Sequence, residues 1–119
     1  MAGLDEIAHT TDSRDDEHFD ISLTFDDSLY VIELYGELDL ASAPDVERAI
    51  ARAEETSAVT ILVDLSGLEF IDSSGLRALL TESRRSSTGT DRLRFLRGVG
   101  QVERTIALCG LNTRLPFLD

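Results

Sequence analysis

The 119 residues, 42% of them hydrophobic, suffice for one domain with a single core and are too few for two substantial domains. A formal net charge of −12 opposes binding of nucleic acid or an anionic membrane through the general surface; it suits a partner with a basic docking face, or serves solubility alone. The single cysteine, Cys109, excludes an intrachain disulfide, and no apolar run approaches the roughly 20 residues of a membrane-spanning helix.

Residues 1–18 are polar and mostly acidic (Asp5, Glu6, Asp12, Asp15, Asp16, Glu17), with Arg14 the lone base, and read as a flexible tail ahead of a domain at 19–119. No basic and apolar leader opens the chain, so the expectation is a cytoplasmic protein. His9 and His18 fall in or beside the tail, where no further Cys or His completes a metal site.

Phe19, Ile21, Leu23 and Phe25 alternate with polar residues as in a half-buried strand. Asp26-Asp27-Ser28 signals a turn, and Leu29 to Leu38 reads as a second strand closing an antiparallel hairpin. Ser42-Ala43-Pro44-Asp45 resembles a helix start, and Val46, Ala49, Ile50 and Ala53 give an inward stripe to a helix over about 43–57. Val59 to Leu65 is nearly all apolar, the mark of a strand buried on both faces. Residues 66–73 read as a loop in which Gly67 serves the turn, and a helix follows over about 74–86 with Leu76, Leu79 and Leu80 inward. Arg77, Arg84 and Arg85 belong on its solvated side. Leu93 to Leu96 is a further strand, and Gln101 to Cys109 a third helix with Val102, Thr105 and Ile106 inward and Cys109 as a buried small hydrophobe. Gly110 sits where a left-handed residue ends a helix, and Leu115-Pro116-Phe117-Leu118 can cover the core. The order β-β-α-β-α-β-α predicts an α/β domain with a mixed, mostly parallel sheet and helices mainly on one face.

The stretch from Asp64 to Leu76 carries the chemistry. It presents Ser73 and Ser74 where a helix begins, with Ser73 the expected N-cap. Capping alone is worth roughly 1 kcal/mol and would be a sufficient role. The same place suits a phosphate, because unpaired N–H groups and the positive end of the helix dipole favour negative charge.

Phe70-Ile71-Asp72 followed by Ser73-Ser74-Gly75, together with Gly36-Glu37-Leu38-Asp39 upstream, resembles the two signatures of STAS domains of the anti-sigma factor antagonist type, over about residues 19–119. The resemblance implies a STAS-like fold and a partner-switching role. The unphosphorylated domain would bind an anti-sigma factor that is also a serine kinase, and a sigma factor would be released. Phosphorylation on Ser73, with Ser74 the second candidate, would end that binding, and a serine phosphatase would reset it. The domain would be ligand and substrate, neither enzyme nor cofactor protein, and a monomer that forms hetero-complexes.

On this reading Asp72 orients the acceptor hydroxyl or contacts the kinase, or else only bonds within its loop. Asp39 helps recognise the kinase, or only caps its turn. Gly75 admits a partner backbone, or only packs the helix start. A serine hydrolase lacks its Gly-x-Ser-x-Gly turn here, and a phosphate-cradling loop with its Lys is absent from a chain without lysine. The rival is a STAS scaffold, a ligand sensor or a module regulating a transporter.

Overall fold

The computed structural model describes residues 10–11 (backbone only), 18–89 and 91–118. The elements are β1 (Thr10–Thr11), β2 (Phe19–Phe25), β3 (Leu29–Leu38), α1 (Ala43–Glu54), β4 (Thr60–Ile71), α2 (Ser73–Thr88), β5 (Leu93–Leu96) and α3 (Gly100–Leu108), then a 3-10 turn at Leu111–Thr113. From β2 onward this is the expected order. Within the stretch read as a tail, Thr10 and Thr11 pair with Leu23 and Ser22 as a short edge strand. Apart from His18, the rest of that stretch, His9 included, lies outside the described residues.

The sheet runs β1-β2-β3-β4-β5, antiparallel from β1 to β3 and parallel from β3 to β5. Alternation along the strands sorts the side chains. Ile21, Tyr30, Ile32, Leu34, Ile61, Val63, Leu65, Leu93 and Phe95 are buried on one face. The two parallel crossovers are right-handed by the general rule, which places α1 and α2 together over that face. The neighbours on the other face, such as Val31, Glu33, Tyr35 and Asp64, are exposed or half-buried. Helix α1 buries Val46, Ala49, Ile50 and Ala53, as its periodicity predicts, and α2 buries Leu76 and Leu79. Arg85 of α2 donates to Glu82 one turn back and lies 3.7 Å from Glu54 of α1, joining the two helices at their outer seam. Among the described residues no helix is long and apolar enough to cross a membrane.

Local chemistry sets the turns. Asp26 Oδ1 accepts from the Ser28 and Leu29 N–H groups at 2.8 and 2.9 Å, closing the hairpin. Those two donors hold its carboxyl below the usual carboxylate range. At the far end of the same hairpin Gly36 takes φ +91° opposite Phe19. A Cβ there would lie 1.9 Å from the His18 carbonyl oxygen.

Three expectations are corrected. Residues 66–71 are strand rather than loop. Apart from Leu62, buried on the other face, buried positions advance by two through Ile61, Val63 and Leu65, then by three to Leu68 and Ile71. Each step of three coincides with an extra β4 residue against β3: Glu33 and Tyr35 pair with Asp64 and Gly67, and Gly36 and Glu37 with Leu68 and Phe70. These bulges absorb Ser66 and Glu69 without breaking the strand. Gly67 therefore lies inside β4, beneath the Tyr35 ring, rather than in a turn. Cys109 is exposed, because α3 turns its inward side at Val102 and Ile106 and Cys109 lies past its last residue.

The helix stop at Gly110 is as expected, with φ +74°. The C-terminal segment covers the free edge of β5. Leu115 is buried, Phe95 N–H donates to the Pro116 carbonyl at 3.1 Å, and Leu118 N–H donates to the Phe95 carbonyl at 2.8 Å. The Arg97 guanidinium sits 4.2 Å over the Phe117 ring.

Gly36 and Gly110 share the sign of φ but not their surroundings, since a Cβ at Gly110 meets nothing within 4 Å. Gly36→Ala is expected to lose at least about 2 kcal/mol of stability and Gly110→Ala about 1 kcal/mol, read by urea unfolding. Equal losses would show that the close approach at His18 does not constrain the hairpin.

Candidate functional site

The site forms where β4 becomes α2. Asp72 is the N-cap of α2: its backbone is extended (φ −115°, ψ −173°) and its carboxylate accepts from the Gly75 N–H at 3.0 Å. Its own carbonyl accepts from the Leu76 N–H at 2.9 Å. The expected N-cap, Ser73, is instead the first helical residue, because the aspartate before it caps as well as serine does and starts the helix one residue earlier. The Ser73 side chain is exposed and its hydroxyl has no part in capping. Ser74 is half-buried. The first turn leaves the Ser73 and Ser74 N–H groups without an intrahelical acceptor.

Two neighbours grip the backbone just before the serines. On one side Asp72 N–H donates to the Leu38 carbonyl at the end of β3, 3.2 Å away. On the other the side-chain amide of Gln101, in the first turn of α3, stands in for a missing strand. Its oxygen accepts from the Ile71 N–H at 3.0 Å and its nitrogen donates to the Ile71 carbonyl at 3.1 Å. Helix α3 thus occupies the edge of β4 beyond the reach of the four-residue β5.

Gly75 makes the third contact. A Cβ on it would lie 2.6 Å from the Leu38 carbonyl oxygen and 2.8 Å from Ile71 Cγ1. The residue is buried against its own chain, so the alternative of close helix packing holds for Gly75 and the expectation that a partner backbone approaches it does not fit.

Asp39 belongs to the same end of the sheet, directly after Leu38. Its Oδ1 accepts from the Ala41 and Ser42 N–H groups at 3.0 and 3.2 Å. Ser42 Oγ in turn accepts from the Asp39 N–H at 2.9 Å and lies 2.8 Å from the Glu37 carbonyl, to which it donates. The turn-capping alternative for Asp39 is therefore realised, and that turn sets the first residues of α1 beside the first residues of α2.

Between these helix starts lies an open groove of about 220 Å³, lined by Leu40, Pro44, Glu47, Ser74, Arg77 and Thr81 among others. Leu40 is 74% exposed at its rim. Sequence reasoning passed over Leu40, Gln101 and the groove. An apolar residue in the turn after Asp39 was the available signal for the first. None existed for Gln101, whose partner is 30 residues away in the chain. Among the described residues no three His, Cys, Asp or Glu side chains cluster as a metal site would require.

The chemistry of the arrangement is that of presentation. A nucleophilic hydroxyl stands free at the positive end of a 16-residue helix, on backbone fixed from three directions. Beside it is a surface with one apolar projection and acidic edges.

A family model described as the STAS domain matches residues 20–118. An anti-sigma-B factor antagonist of Staphylococcus aureus is 25% identical over 96 residues, covering 80% of this chain and 88% of that protein. Among solved structures, an anti-sigma factor antagonist from Mycobacterium paratuberculosis superposes with a TM-score of 0.65 at 25% identity, covering 98% of this chain and 89% of that one. The anti-sigma factor antagonist SpoIIAA in its unphosphorylated form gives 0.64 at 23% identity, over 94% and 87% of the two chains. The phosphorylated form of the Bacillus protein gives 0.59 at 22%, over 94% and 90%. The SpoIIAA likeness establishes the fold.

Replacing Gln101 by Leu removes both bonds to Ile71 while keeping the apolar bulk. The variant is expected to lose about 1–2 kcal/mol and to raise amide exchange at Ile71 selectively, followed by NMR. Exchange at Ile71 unchanged from the parent would show that α3 does not hold this end of β4.

Proposed function

The chain belongs to the STAS domain family, and on that premise we propose that it is an anti-sigma factor antagonist switched by phosphorylation on Ser73. In its unphosphorylated form it binds an anti-sigma factor with serine kinase activity, so that a sigma factor is released. The kinase transfers a phosphoryl group from ATP to the Ser73 hydroxyl, whose proton is lost as the O–P bond forms and ADP leaves. The phosphorylated form dissociates, and a serine phosphatase returns it to the first state by hydrolysis. The domain acts as ligand and substrate and needs no cofactor of its own. A cytoplasmic location follows from this role.

The carrying observation is the position of Ser73: exposed, first in α2, and relieved of capping by Asp72. An acceptor that also capped its helix would have its capping bonds remade on modification. Here the phosphate arrives without disturbing the fold, on a surface shared with Leu40 and the groove. Ser74 is the weaker acceptor because it is half-buried in the groove wall. Asp72 fixes the acceptor's position by capping α2, and Asp39 fixes the turn that carries Leu40. The similarity to named anti-sigma factor antagonists supports the same reading.

Charge placed inside a close interface costs several kcal/mol through desolvation and like-charge contact, which is about a hundredfold or more in affinity. The test incubates the protein with the serine-kinase anti-sigma factors of its own organism and ATP. Mass spectrometry is expected to place phosphate on Ser73, and Ser73→Ala is expected to bind the kinase like the parent but accept no label. Ser73→Glu is expected to bind about a hundredfold more weakly. Labelling of Ser73→Ala equal to that of the parent would remove Ser73 from the mechanism.

A further inference from the structure

Arg77 stands four residues after Ser73, one turn further along α2, and is exposed. Side chains spaced i and i+4 on a helix are neighbours, with Cβ atoms about 5–6 Å apart. Elsewhere among the described residues, Arg48, Arg85, Arg94 and Arg97 pair with carboxylates, and Arg92 donates to the backbone carbonyls of Glu54, Thr56 and Ala58. Like Arg52, Arg84, Arg104 and Arg114, Arg77 makes no such bond among the described residues; its place one turn from Ser73 sets it apart. It lines the groove between α1 and α2, opposite Glu47, and is the sole base in the first five residues of α2. The charged groups that share this end of the domain include Asp72 at the helix cap, Asp39 in the turn after β3 and Glu47 on α1; the nearby base Arg48 is paired with Asp45.

Resting on the reading above, we infer that Arg77 is the receptor for the Ser73 phosphate within this same chain, and that on phosphorylation its guanidinium leaves the groove wall to bind the phosphate oxygens. The order is the favourable one on a helix, with the acid on the N-terminal side of the base. A guanidinium also matches a phosphate with two parallel N–H donors, which an ammonium cannot do. The unmodified hydroxyl carries no charge and gives Arg77 no reason to turn. Phosphorylation therefore does two things at once. It adds charge at Ser73, and it removes a cation from beside Ala43, Pro44 and Ala78, altering the groove that a partner would meet.

The experiment installs phosphoserine at position 73 during translation, so no kinase is needed. The second ionisation of the phosphate is then titrated by phosphorus NMR in the parent, Arg77→Gln, Arg77→Lys and Arg84→Gln backgrounds. A bound cation favours the dianion, so the parent midpoint is expected at least about 0.3 pH unit below that of Arg77→Gln. Arg77→Lys is expected between the two, and Arg84→Gln with the parent. Asp72, Asp39 and Glu47 are present in every variant, so the difference reports Arg77 alone. Methyl signals of Ala43 and Ala78 are expected to shift between the serine and phosphoserine proteins in the parent and not in Arg77→Gln. Coincident midpoints in the parent and Arg77→Gln would overturn the inference while leaving Ser73 as the acceptor. Failure of every cellular kinase to label Ser73 would instead strike the functional reading and leave this titration unchanged.

Discussion

The contact on which the rest depends is the seating of the first turn of α2 on the end of β3. The Leu38 carbonyl receives the Asp72 N–H and lies where any side chain on Gly75 would have to go. A glycine at that position lets helix and strand approach to backbone contact, and the aspartate three residues earlier closes the helix cap on the same glycine's N–H. Because cap, glycine and strand end are locked together, Ser73 is held outward with no structural duty of its own. On the proposed reading, the acceptor of the phosphate is thereby mounted on backbone held by its neighbours.

That division has an energetic logic. Modification of a capping side chain would change the bonds that start the helix, whereas modification of the residue after the cap would leave the Asp72 cap intact. The grip of Gln101 on Ile71 serves the same end from the opposite side, since β5 is too short to pair with the last part of β4. The groove between α1 and α2 and the exposed Leu40 lie against this rigid corner. Small differences there are presented to a partner without being absorbed by loop motion.

Charge considerations point in the same direction. On the proposed reading a phosphate would add about two negative units to a chain that already carries −12, so the long-range field would hardly change. Discrimination between the two forms would then act at short range, through desolvation, fit and the few groups within reach of the oxygens. Asp72, Asp39 and Glu47 lie at that end of the domain, Arg48 is paired with Asp45, and Arg77 is the base one turn from Ser73.

Much of this was present in the order of residues. Alternation in Phe19–Phe25 and the helical stripe of Val46, Ala49, Ile50 and Ala53 are consequences of burying one face of each element, and the element order follows from such patterns; the apolar run from Val59 to Leu65 marked a strand, but not one buried on both faces throughout, since Val59 is 70% exposed and Asp64 half-buried. The serine pair near the helix start and the left-handed Gly110 were likewise legible, because turns and helix ends are largely local chemistry, and the two signatures were legible by resemblance. The tertiary structure alone decided what depends on a partner distant in the chain. It kept 66–71 in the sheet, since only pairing with Tyr35 to Leu38 makes strand of a segment whose buried residues step by three. It gave the cap to Asp72 and freed Ser73, since only docking on Leu38 fixes where the helix starts. It joined Gln101 to Ile71 across 30 residues, because an unpaired strand edge takes whatever donor and acceptor the fold brings beside it.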